Sequence, residues 1–257
     1  MRRLKIGDRI LRVRDEGEGK RAPLVCVHGA GASSVVWMDA VRRMAPQRRI
    51  VALDLPGHGQ SDPWHPPAEV TVDQYRDAVG TVCATLGITQ AVIMGHSMGG
   101  QVALSCATAW PDKVAALVLV ASGLELSVPP SVMHSIRTDF AHLHDVLRPL
   151  LWSPSTPVEL IDRWTGLLAA ADAEVTEADF RVAQTFVPPP ILPSRPSLPS
   201  LIIGGEDDLL APPSSQRSLG KRLGTEPVLL PRAAHLPMLE QPSDFFSALE
   251  SFLTGTR

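Results

Sequence analysis

The stretch that decides the fold of this chain is Val92-Ile93-Met94-Gly95-His96-Ser97-Met98-Gly99-Gly100. Its apolar start has the composition of a buried strand, its glycines favour a tight turn, and Gln101–Cys106 has helical composition. A serine at the apex of a strand–turn–helix unit is the context that a G-x-S-x-G nucleophile elbow requires. The pattern therefore predicts that Ser97 is a nucleophile and that the backbone N–H of Met98 points towards the group it attacks. For this pentapeptide alone, an ordinary turn is the alternative.

Size and composition argue against several classes of protein. With 257 residues, of which 44% are hydrophobic, the chain can form one sizeable core with an insertion. A net charge of −3 and the lack of a Lys/Arg-rich block argue against a nucleic-acid partner. No apolar run approaches the roughly 18 residues of a membrane span, and none follows the basic first residues as in a signal peptide. The three cysteines (Cys26, Cys83 and Cys106) fit no zinc motif and favour a reduced, cytoplasmic protein.

Short apolar runs alternate with helical stretches through most of the chain. The predicted strands are a hairpin within Leu4–Arg14 and the runs Leu24–Val27, Arg49–Leu53, Val92–Met94, Val114–Val120, Leu201–Gly205 and Glu226–Leu230. The predicted helices are Val35–Met44, Thr71–Leu86, the segment after Ser97, Pro213–Leu223 and Pro242–Leu253. This alternation predicts right-handed crossovers and a mostly parallel sheet with helices on both faces.

The pattern changes between residues 124 and 199, where no strand-like run occurs. The predicted helical segments there are Ser131–Leu151, one with Thr156 as its N-cap and one beginning at Thr176. The proline-rich segment Val187–Pro196 cannot be helical and predicts a stiff, extended linker. We therefore predict an α/β core domain formed by residues 1–123 and 198–257, into which residues 124–197 are inserted as a helical cap.

A candidate catalytic triad can be assembled from residues that follow predicted strands. A serine hydroxyl needs a general base, and an imidazole base needs an acid partner that fixes its tautomer. In open parallel sheets, functional groups gather at the carboxyl ends of the strands. Three candidates lie at such ends, in the chain order Ser97, Asp208, His235. This order is the one expected of an α/β-hydrolase.

Five motifs together resemble those of α/β-hydrolase fold enzymes with a helical cap. They are His28-Gly29-Ala30-Gly31, Asp54-Leu55-Pro56-Gly57-His58-Gly59-Gln60-Ser61, Gly95-His96-Ser97-Met98-Gly99-Gly100, Gly205-Glu206-Asp207-Asp208 and His235. The resemblance covers essentially the whole chain and implies the α/β-hydrolase fold, a mostly parallel eight-stranded sheet flanked by helices. It also implies Asp208 as the acid, with Asp207 as the alternative, and an oxyanion hole made by the backbone N–H groups of Ala30 and Met98. No metal or organic cofactor is implied.

The candidates for substrate binding come from the loop after the third predicted strand, from the predicted cap and from the position after His235. They are His28, Gly29, Trp152, Trp164 and Leu236. For His28, as for His58, a hydrogen bond to the backbone is the alternative role, and each tryptophan is otherwise a core residue. His96 is expected to point away from the nucleophile because of the geometry of the turn. His142 and His144 do not share a helix face, so we expect no metal site there.

The residue types narrow the substrate class that the resemblance implies. Ser97 argues against the dehalogenases and epoxide hydrolases of this fold, which carry aspartate at that position. Leu236 stands where C–C bond hydrolases usually carry tryptophan. We therefore predict a serine carboxylesterase that cleaves small-to-medium esters through an acyl-enzyme on Ser97. A C–C bond or lactone hydrolase with the same triad and a hydrolase-like ligand-binding receptor are the alternatives. The expected partner is a small ester-like molecule, and the sequence indicates no oligomeric state.

Overall fold

The computed structural model describes residues 1–168, 172–190 and 198–255 of the chain. The strands in these residues are β1 (Arg2–Ile6), β2 (Arg9–Glu16), β3 (Leu24–Val27), β4 (Ile50–Leu53), β5 (Ala91–His96), β6 (Val114–Val120), β7 (Ser200–Gly205) and β8 (Val228–Leu230). The α-helices are α1 (Met38–Met44), α2 (Val72–Thr85), α3 (Met98–Ala109), α4 (Pro130–Thr138), α5 (Leu143–Leu151), α6 (Val158–Leu168), α7 (Ala173–Thr185), α8 (Pro213–Leu223), α9 (Pro237–Glu240) and α10 (Pro242–Gly255). None of these helices is both long and apolar enough to cross a bilayer.

All of these strands join in one eight-stranded sheet, in the order β1-β2-β4-β3-β5-β6-β7-β8. β1 pairs with β2, and β2 with β4, in antiparallel fashion, whereas the other neighbours are parallel. The predicted mostly parallel, eight-stranded sheet is thereby confirmed. Because β5 lies between β3 and β6, the turn that carries Ser97 is at the centre of the sheet's carboxyl edge.

Both faces of the sheet are buried, which explains why the central strands are continuous apolar runs in the sequence. In β3, Leu24 and Cys26 face an apolar cluster shared with α1 and α10. Val25 and Val27 face a second cluster, shared with α2 and α3. This alternation follows from the two-residue period of a strand. Burial of each large aliphatic side chain contributes about 1.5–3 kcal/mol to folding, so the central strands hold the site on a rigid support.

Between β6 and β7, the described residues form four α-helices, α4 to α7, which we call the insertion helices. Val132 and Ile136 of α4, Leu143 of α5 and Phe180 of α7 form a small apolar cluster of their own. α6 packs differently, because Trp164 belongs to the cluster beside α1. The insertion helices are thus a partly independent layer that is also attached to the sheet domain.

The prediction of one helix over Ser131–Leu151 is wrong. α4 ends at Thr138, Asp139 has the extended φ of −155°, and a 3₁₀ turn precedes α5. The Asp139 carboxylate is 2.8 Å from Nδ1 of His142, within the turn. Aspartate favours such local hydrogen bonds over a helix interior, and this preference breaks the helix.

The remaining insertion helices also begin differently from the prediction. α7 begins at Ala173 rather than at Thr176, because the Asp172 carboxylate accepts a hydrogen bond from the N–H of Val175 and acts as the N-cap. The hydroxyl of Thr156 donates to a carboxylate of α9, a helix that was not predicted, and the N-cap role of Thr156 stays a prediction. Most of the predicted linker, residues 191–196, lies outside the described residues.

Candidate active site

Ser97 occupies a strained turn between β5 and α3, with φ of 54° and ψ of −121°. A non-glycine residue in such a conformation costs of order 1–3 kcal/mol, and the surrounding structure must hold it there. The N–H of Ser97 donates to the carbonyl of Val120 at 2.9 Å. A Cβ atom at Gly95 would lie 2.0 Å from the carbonyl oxygen of Gly99, so only glycine fits there. The predicted strand–turn–helix unit is confirmed, while the nucleophilic role of Ser97 stays a prediction.

His235 and Asp208 form a buried pair, in which His235 is 2% and Asp208 1% exposed. Nδ1 of His235 lies 3.0 Å from both carboxylate oxygens of Asp208. A carboxylate oxygen accepts a hydrogen bond, so Nδ1 carries the proton and Nε2 is left as a base. Two backbone N–H groups also donate to Oδ1 of Asp208 at 2.9 Å. The adjacent Asp207 instead accepts a hydrogen bond from Ser153 at 2.6 Å, so the geometry favours Asp208 as the partner of His235.

The backbone of His235 is held from two sides. Its N–H donates to the carbonyl of Leu151, at the end of α5, at 3.2 Å. Its carbonyl accepts a hydrogen bond from Nε2 of His96 at 2.8 Å. Burial, followed by the neighbouring His235, lowers the pKa of His96 to about 3, so His96 is neutral over the ordinary pH range. The Nε2 proton of His96 is thus engaged with the loop that carries His235, as a structural role for His96 requires.

Ser97 and His235 line one cavity of about 550 Å³, beneath the insertion helices. Such a volume is typical of sites for small organic ligands. The apolar side chains that line it from the insertion helices are Phe140, Leu143, Leu147, Leu151, Trp152, Ile161 and Phe180. The exposed polar residues of the lining are His144, Asp145, Arg148 and Asp162. The cavity therefore offers the serine an apolar pocket with a polar, solvent-facing part.

The predicted substrate-binding residues divide into two groups. Trp152 and Leu236 line the cavity, and their role in binding stays a prediction. Trp164 belongs to the core cluster beside α1, and the cavity lining of the described residues does not include it. Gly29 is not part of that lining either, because it packs against the His96 ring.

His28 is not placed for substrate binding, because it is fully buried among backbone groups. Its Nδ1 donates to the carbonyl of Gly29 at 2.8 Å, and its Nε2 accepts from the N–H of Leu55 at 3.0 Å. Burial, followed by the nearby His58, lowers the pKa of His28 to about 4, so the ring is neutral. The geometry therefore favours the alternative role of His28, a hydrogen bond to the backbone, over the predicted role in substrate binding.

The two predicted oxyanion donors come from different elements. Ala30 lines the cavity in the loop after β3. Met98 is the first residue of α3, so its N–H has no acceptor within the helix. The side chain of Met98 is fully buried in the core. A substitution there would consequently perturb packing rather than remove the donor.

Asp179 of α7 is a polar residue near the site that the sequence did not reveal. Its carboxylate is fully buried and accepts a hydrogen bond from the N–H of Gly31, next to Ala30, at 2.7 Å. It also bonds Nε2 of His58 at 2.6 Å and the hydroxyl of Tyr75. The expected backbone contact of His58 is present, at 3.1 Å from the carbonyl of Pro56. No local pattern signals Asp179, because its partners are distant in the chain.

Comparison with known proteins agrees with this geometry. A model of the alpha/beta hydrolase family matches residues 24–249. A pimeloyl-[acyl-carrier protein] methyl ester esterase of Neisseria meningitidis is 30% identical over 89% of this chain and 76% of its own length. The dihydrolipoyllysine-residue acetyltransferase component of an acetoin cleaving system from Pseudomonas putida is 29% identical over 97% of this chain and 68% of its own.

Solved structures show the same similarity. A thermophilic esterase from Thermogutta terrifontis, with malate bound, superposes with a TM-score of 0.86 and 25% identity over 99% of this chain and 98% of its own. The family match covers the sheet strands β3 to β8, the serine turn and the loops that carry the acid and the base. The chain therefore belongs to the alpha/beta hydrolase family and is a hydrolase.

Proposed function

We propose that this protein is a serine carboxylesterase that cleaves small-to-medium carboxylic esters through an acyl-enzyme on Ser97. One observation carries the proposal: the strained Ser97 and the Asp208-bound His235 open into one apolar cavity. An apolar pocket suits the acyl chain of an ester, and the imidazole base supplies what a serine hydroxyl lacks at neutral pH.

In the acylation step, Nε2 of His235 takes the hydroxyl proton of Ser97 while Oγ attacks the ester carbonyl carbon. The carbonyl π electrons move to oxygen, and the N–H groups of Ala30 and Met98 stabilise the resulting oxyanion. Each such donor is typically worth about 10²–10³ in kcat. The intermediate collapses, the C–O bond to the alcohol breaks, and His235 returns the proton to the departing alkoxide. The carboxylate of Asp208 stabilises the imidazolium through its hydrogen bond to Nδ1.

In the deacylation step, water replaces the alcohol in the same geometry. His235 removes a proton from the water, whose oxygen attacks the acyl carbon through a second tetrahedral intermediate. The bond to Oγ of Ser97 breaks, Oγ regains the proton from His235, and the carboxylic acid leaves. This mechanism needs one base for both steps, and the position of His235 in the cavity wall supports that role.

The names of the relatives support an ester substrate. The Neisseria meningitidis protein is a methyl ester esterase, and the Thermogutta terrifontis structure is that of an esterase. The volume of about 550 Å³ suits small-to-medium acyl groups rather than polymers.

The test is the release of p-nitrophenol from p-nitrophenyl esters of increasing acyl length, with wild type and Ser97→Ala measured side by side. We expect rapid release that peaks at one chain length and falls by about six orders of magnitude in Ser97→Ala. Circular dichroism and the melting temperature should match between the two proteins, because an alanine side chain keeps the Cβ atom and fits the same turn.

Two results would contradict the ester proposal. Near-wild-type release by Ser97→Ala would remove the nucleophile from the mechanism. Little release by wild type, despite labelling of Ser97 by a fluorophosphonate, would mean that the triad is active on another bond. Lactones and C–C substrates would then be assayed, because a shared triad does not reveal the bond that it breaks.

A further inference from the structure

The buried carboxylate of Asp179 joins the insertion helices to the loop that carries Ala30. Asp179 lies on α7 and is fully buried. Its Oδ2 atom accepts the N–H of Gly31 at 2.7 Å and is 2.6 Å from Nε2 of His58. Its Oδ1 atom accepts the hydroxyl of Tyr75. A buried carboxylate is expensive unless it is fully bonded, and here each oxygen has a partner.

The contact fixes the conformation on one side of Ala30. Gly31 has a φ of +65°, and the Ala30–Gly31 peptide is held where its N–H meets Asp179. On the other side, the Gly29–Ala30 peptide is held through its carbonyl, which accepts hydrogen bonds from His28 and from the N–H of Ala32. A trans peptide is planar, so holding a carbonyl also aims the N–H across the same plane. Both peptides that flank Ala30 are therefore fixed.

The neighbouring His58 favours the ionised form of Asp179, which is the stronger hydrogen-bond acceptor. Burial alone would lower the pKa of His58, but the charge and hydrogen bond of Asp179 outweigh burial and raise that pKa above its ordinary value. Burial would raise the pKa of Asp179, and the charge of His58, with its hydrogen bonds, lowers it instead. The carboxylate consequently stays ionised, and it keeps the strong acceptor that the N–H of Gly31 uses.

We propose that Asp179 is a positioning residue for the oxyanion hole: through Gly31 it aims the N–H of Ala30 at the developing oxyanion, and so ties α7 to the hydrolytic step. This inference rests on the proposed function, because it takes Ala30 as an oxyanion donor. Among the described residues, Asp179 is not itself part of the cavity lining, although its partner Gly31 is, so its effect on the reaction is indirect.

The chain offers a matched set of variants. Asp179→Ala removes the acceptor of the Gly31 N–H. Asp179→Asn retains it, because the amide oxygen can face Gly31 and His58 while the amide nitrogen faces the hydroxyl oxygen of Tyr75. Tyr75→Phe removes a bond to the same carboxylate on the opposite oxygen and leaves the Gly31 contact in place. Where Asp179→Ala does not fold, Asp179→Ser, whose hydroxyl is too short to reach Gly31, takes its place.

The experiment measures kcat and KM on the best p-nitrophenyl ester and the inhibition constant of a trifluoromethyl ketone of matching length. That ketone adds the serine oxygen and forms an oxyanion, so its affinity reports the oxyanion hole. We expect Asp179→Ala to lower kcat by about 10- to 100-fold, which does not exceed the loss caused by removing one oxyanion donor. KM should change less than about threefold, and ketone affinity should fall in proportion to kcat/KM. Asp179→Asn and Tyr75→Phe should keep kcat within about threefold of wild type, even where their melting temperatures fall.

Three results would overturn the inference. They are an unchanged kcat in Asp179→Ala, a higher KM in Asp179→Ala with unchanged ketone affinity, or an equal fall of kcat in Tyr75→Phe. The rate at which a fluorophosphonate labels Ser97 separates this inference from the ester proposal. If wild type cleaves no ester but labels rapidly, and Asp179→Ala labels at least about tenfold more slowly, the ester proposal fails and the positioning role stands. Equal labelling rates would overturn the positioning role.

Discussion

At the level of single residues, backbone strain is found at Ser97, whereas the two histidines of the site are controlled by hydrogen bonds. The backbone of Ser97 stores the strain, with its positive φ held by the sheet and by close glycines. The chemistry is left to hydrogen bonds that fix protons on particular atoms. Asp208 keeps the proton of His235 on Nδ1, and the carbonyl of His235 keeps that of His96 on Nε2. Each of these two rings thus has a defined tautomer.

Replacing Asp208 by asparagine should reverse the tautomer of His235. The N–H groups of Leu210 and Ala211 donate to Oδ1, so the amide oxygen will occupy that position and the amide nitrogen will face His235. Because the amide nitrogen can only donate, it favours Nδ1 as an acceptor, which places the proton on Nε2 and blocks the removal of the serine proton. We expect kcat on a p-nitrophenyl ester to fall by about 10⁴.

Asp207→Asn is the matched control for this change, because the Asp207 carboxylate bonds Ser153 and not His235. Its kcat should stay within about threefold of wild type, because the change alters no catalytic group. Loss of the hydrogen bond to Ser153 would lower stability by about 0.5–1.5 kcal/mol. If Asp207→Asn were the more damaging variant, the assignment of Asp208 as the acid would be wrong.

Among the helices and loops, the insertion helices are attached to the loops that hold the candidate site. On one side α7 bonds the Ala30 loop through Asp179. On the other side the segment after α5 bonds Glu240 of α9, whose Oε1 accepts from the N–H of Ser153 at 2.7 Å and the hydroxyl of Thr156. Oε2 of Glu240 accepts the N–H of Ala234 at 2.8 Å, beside His235. A displacement of these helices would therefore move both loops.

Glu240→Ala should weaken this second attachment. Three donors lose their acceptor, and each one left without a partner costs about 1–3 kcal/mol when it is buried. We expect a lower melting temperature and, because the backbone before His235 loses a support, a fall in kcat of about tenfold. The exposed Glu159 of α6 is the control, and Glu159→Ala should change neither value. Unchanged melting and kcat in Glu240→Ala would show that the attachment contributes nothing to stability or activity.

The sequence predicts well those elements whose residues are decided by local burial. β6 matches the prediction Val114–Val120 at both ends, because a short apolar run rich in valine is typical of a strand buried on both faces of a parallel sheet. The helix over Ser131–Leu151 was wrong because Asp139 prefers a local hydrogen bond, and the advantage of that turn depends on packing. Asp179 was missed for a related reason. Its partners come from loops and helices that meet only when the insertion helices pack on the sheet domain.

For the molecule as a whole, the unusual feature is a charged pair without access to solvent. His58 and Asp179 are both fully buried, and both belong to the contact between the sheet domain and the insertion helices. The folded state raises the pKa of His58 and lowers that of Asp179. Each of these pKa changes links the free energy of unfolding to pH.

The signs of the two pKa changes define a pH window. Asp179 stabilises the fold above its ordinary pKa of 3.8, and this contribution is lost as the pH falls through its lowered pKa. His58 stabilises the fold below its ordinary pKa of 6.5, and this contribution is lost as the pH rises through its raised pKa. The pair therefore contributes most between about pH 4 and 6.5.

Urea unfolding of wild type and Asp179→Asn at pH 5.5 and 8.5 checks this window. We expect the variant's deficit in unfolding free energy to be larger at pH 5.5 than at pH 8.5. The exposed pair of His142 and Asp139 provides the control, since exposed ion pairs contribute little, and His142→Gln should unfold alike at both pH values relative to wild type. An equal deficit of Asp179→Asn at the two pH values would contradict an ionised buried pair.

The hydrogen bond between His96 and the carbonyl of His235 also has a consequence for the order in which the active site forms during folding. It joins residues 139 positions apart in the chain. The strained serine turn on β5 is held by the carbonyl of Val120, 23 positions along the chain, whereas its base arrives only when a much longer loop closes, which costs more chain entropy. A partly folded chain would hold the serine without its base and would be inert. Recovery of activity during refolding would consequently count only the molecules that have completed the fold.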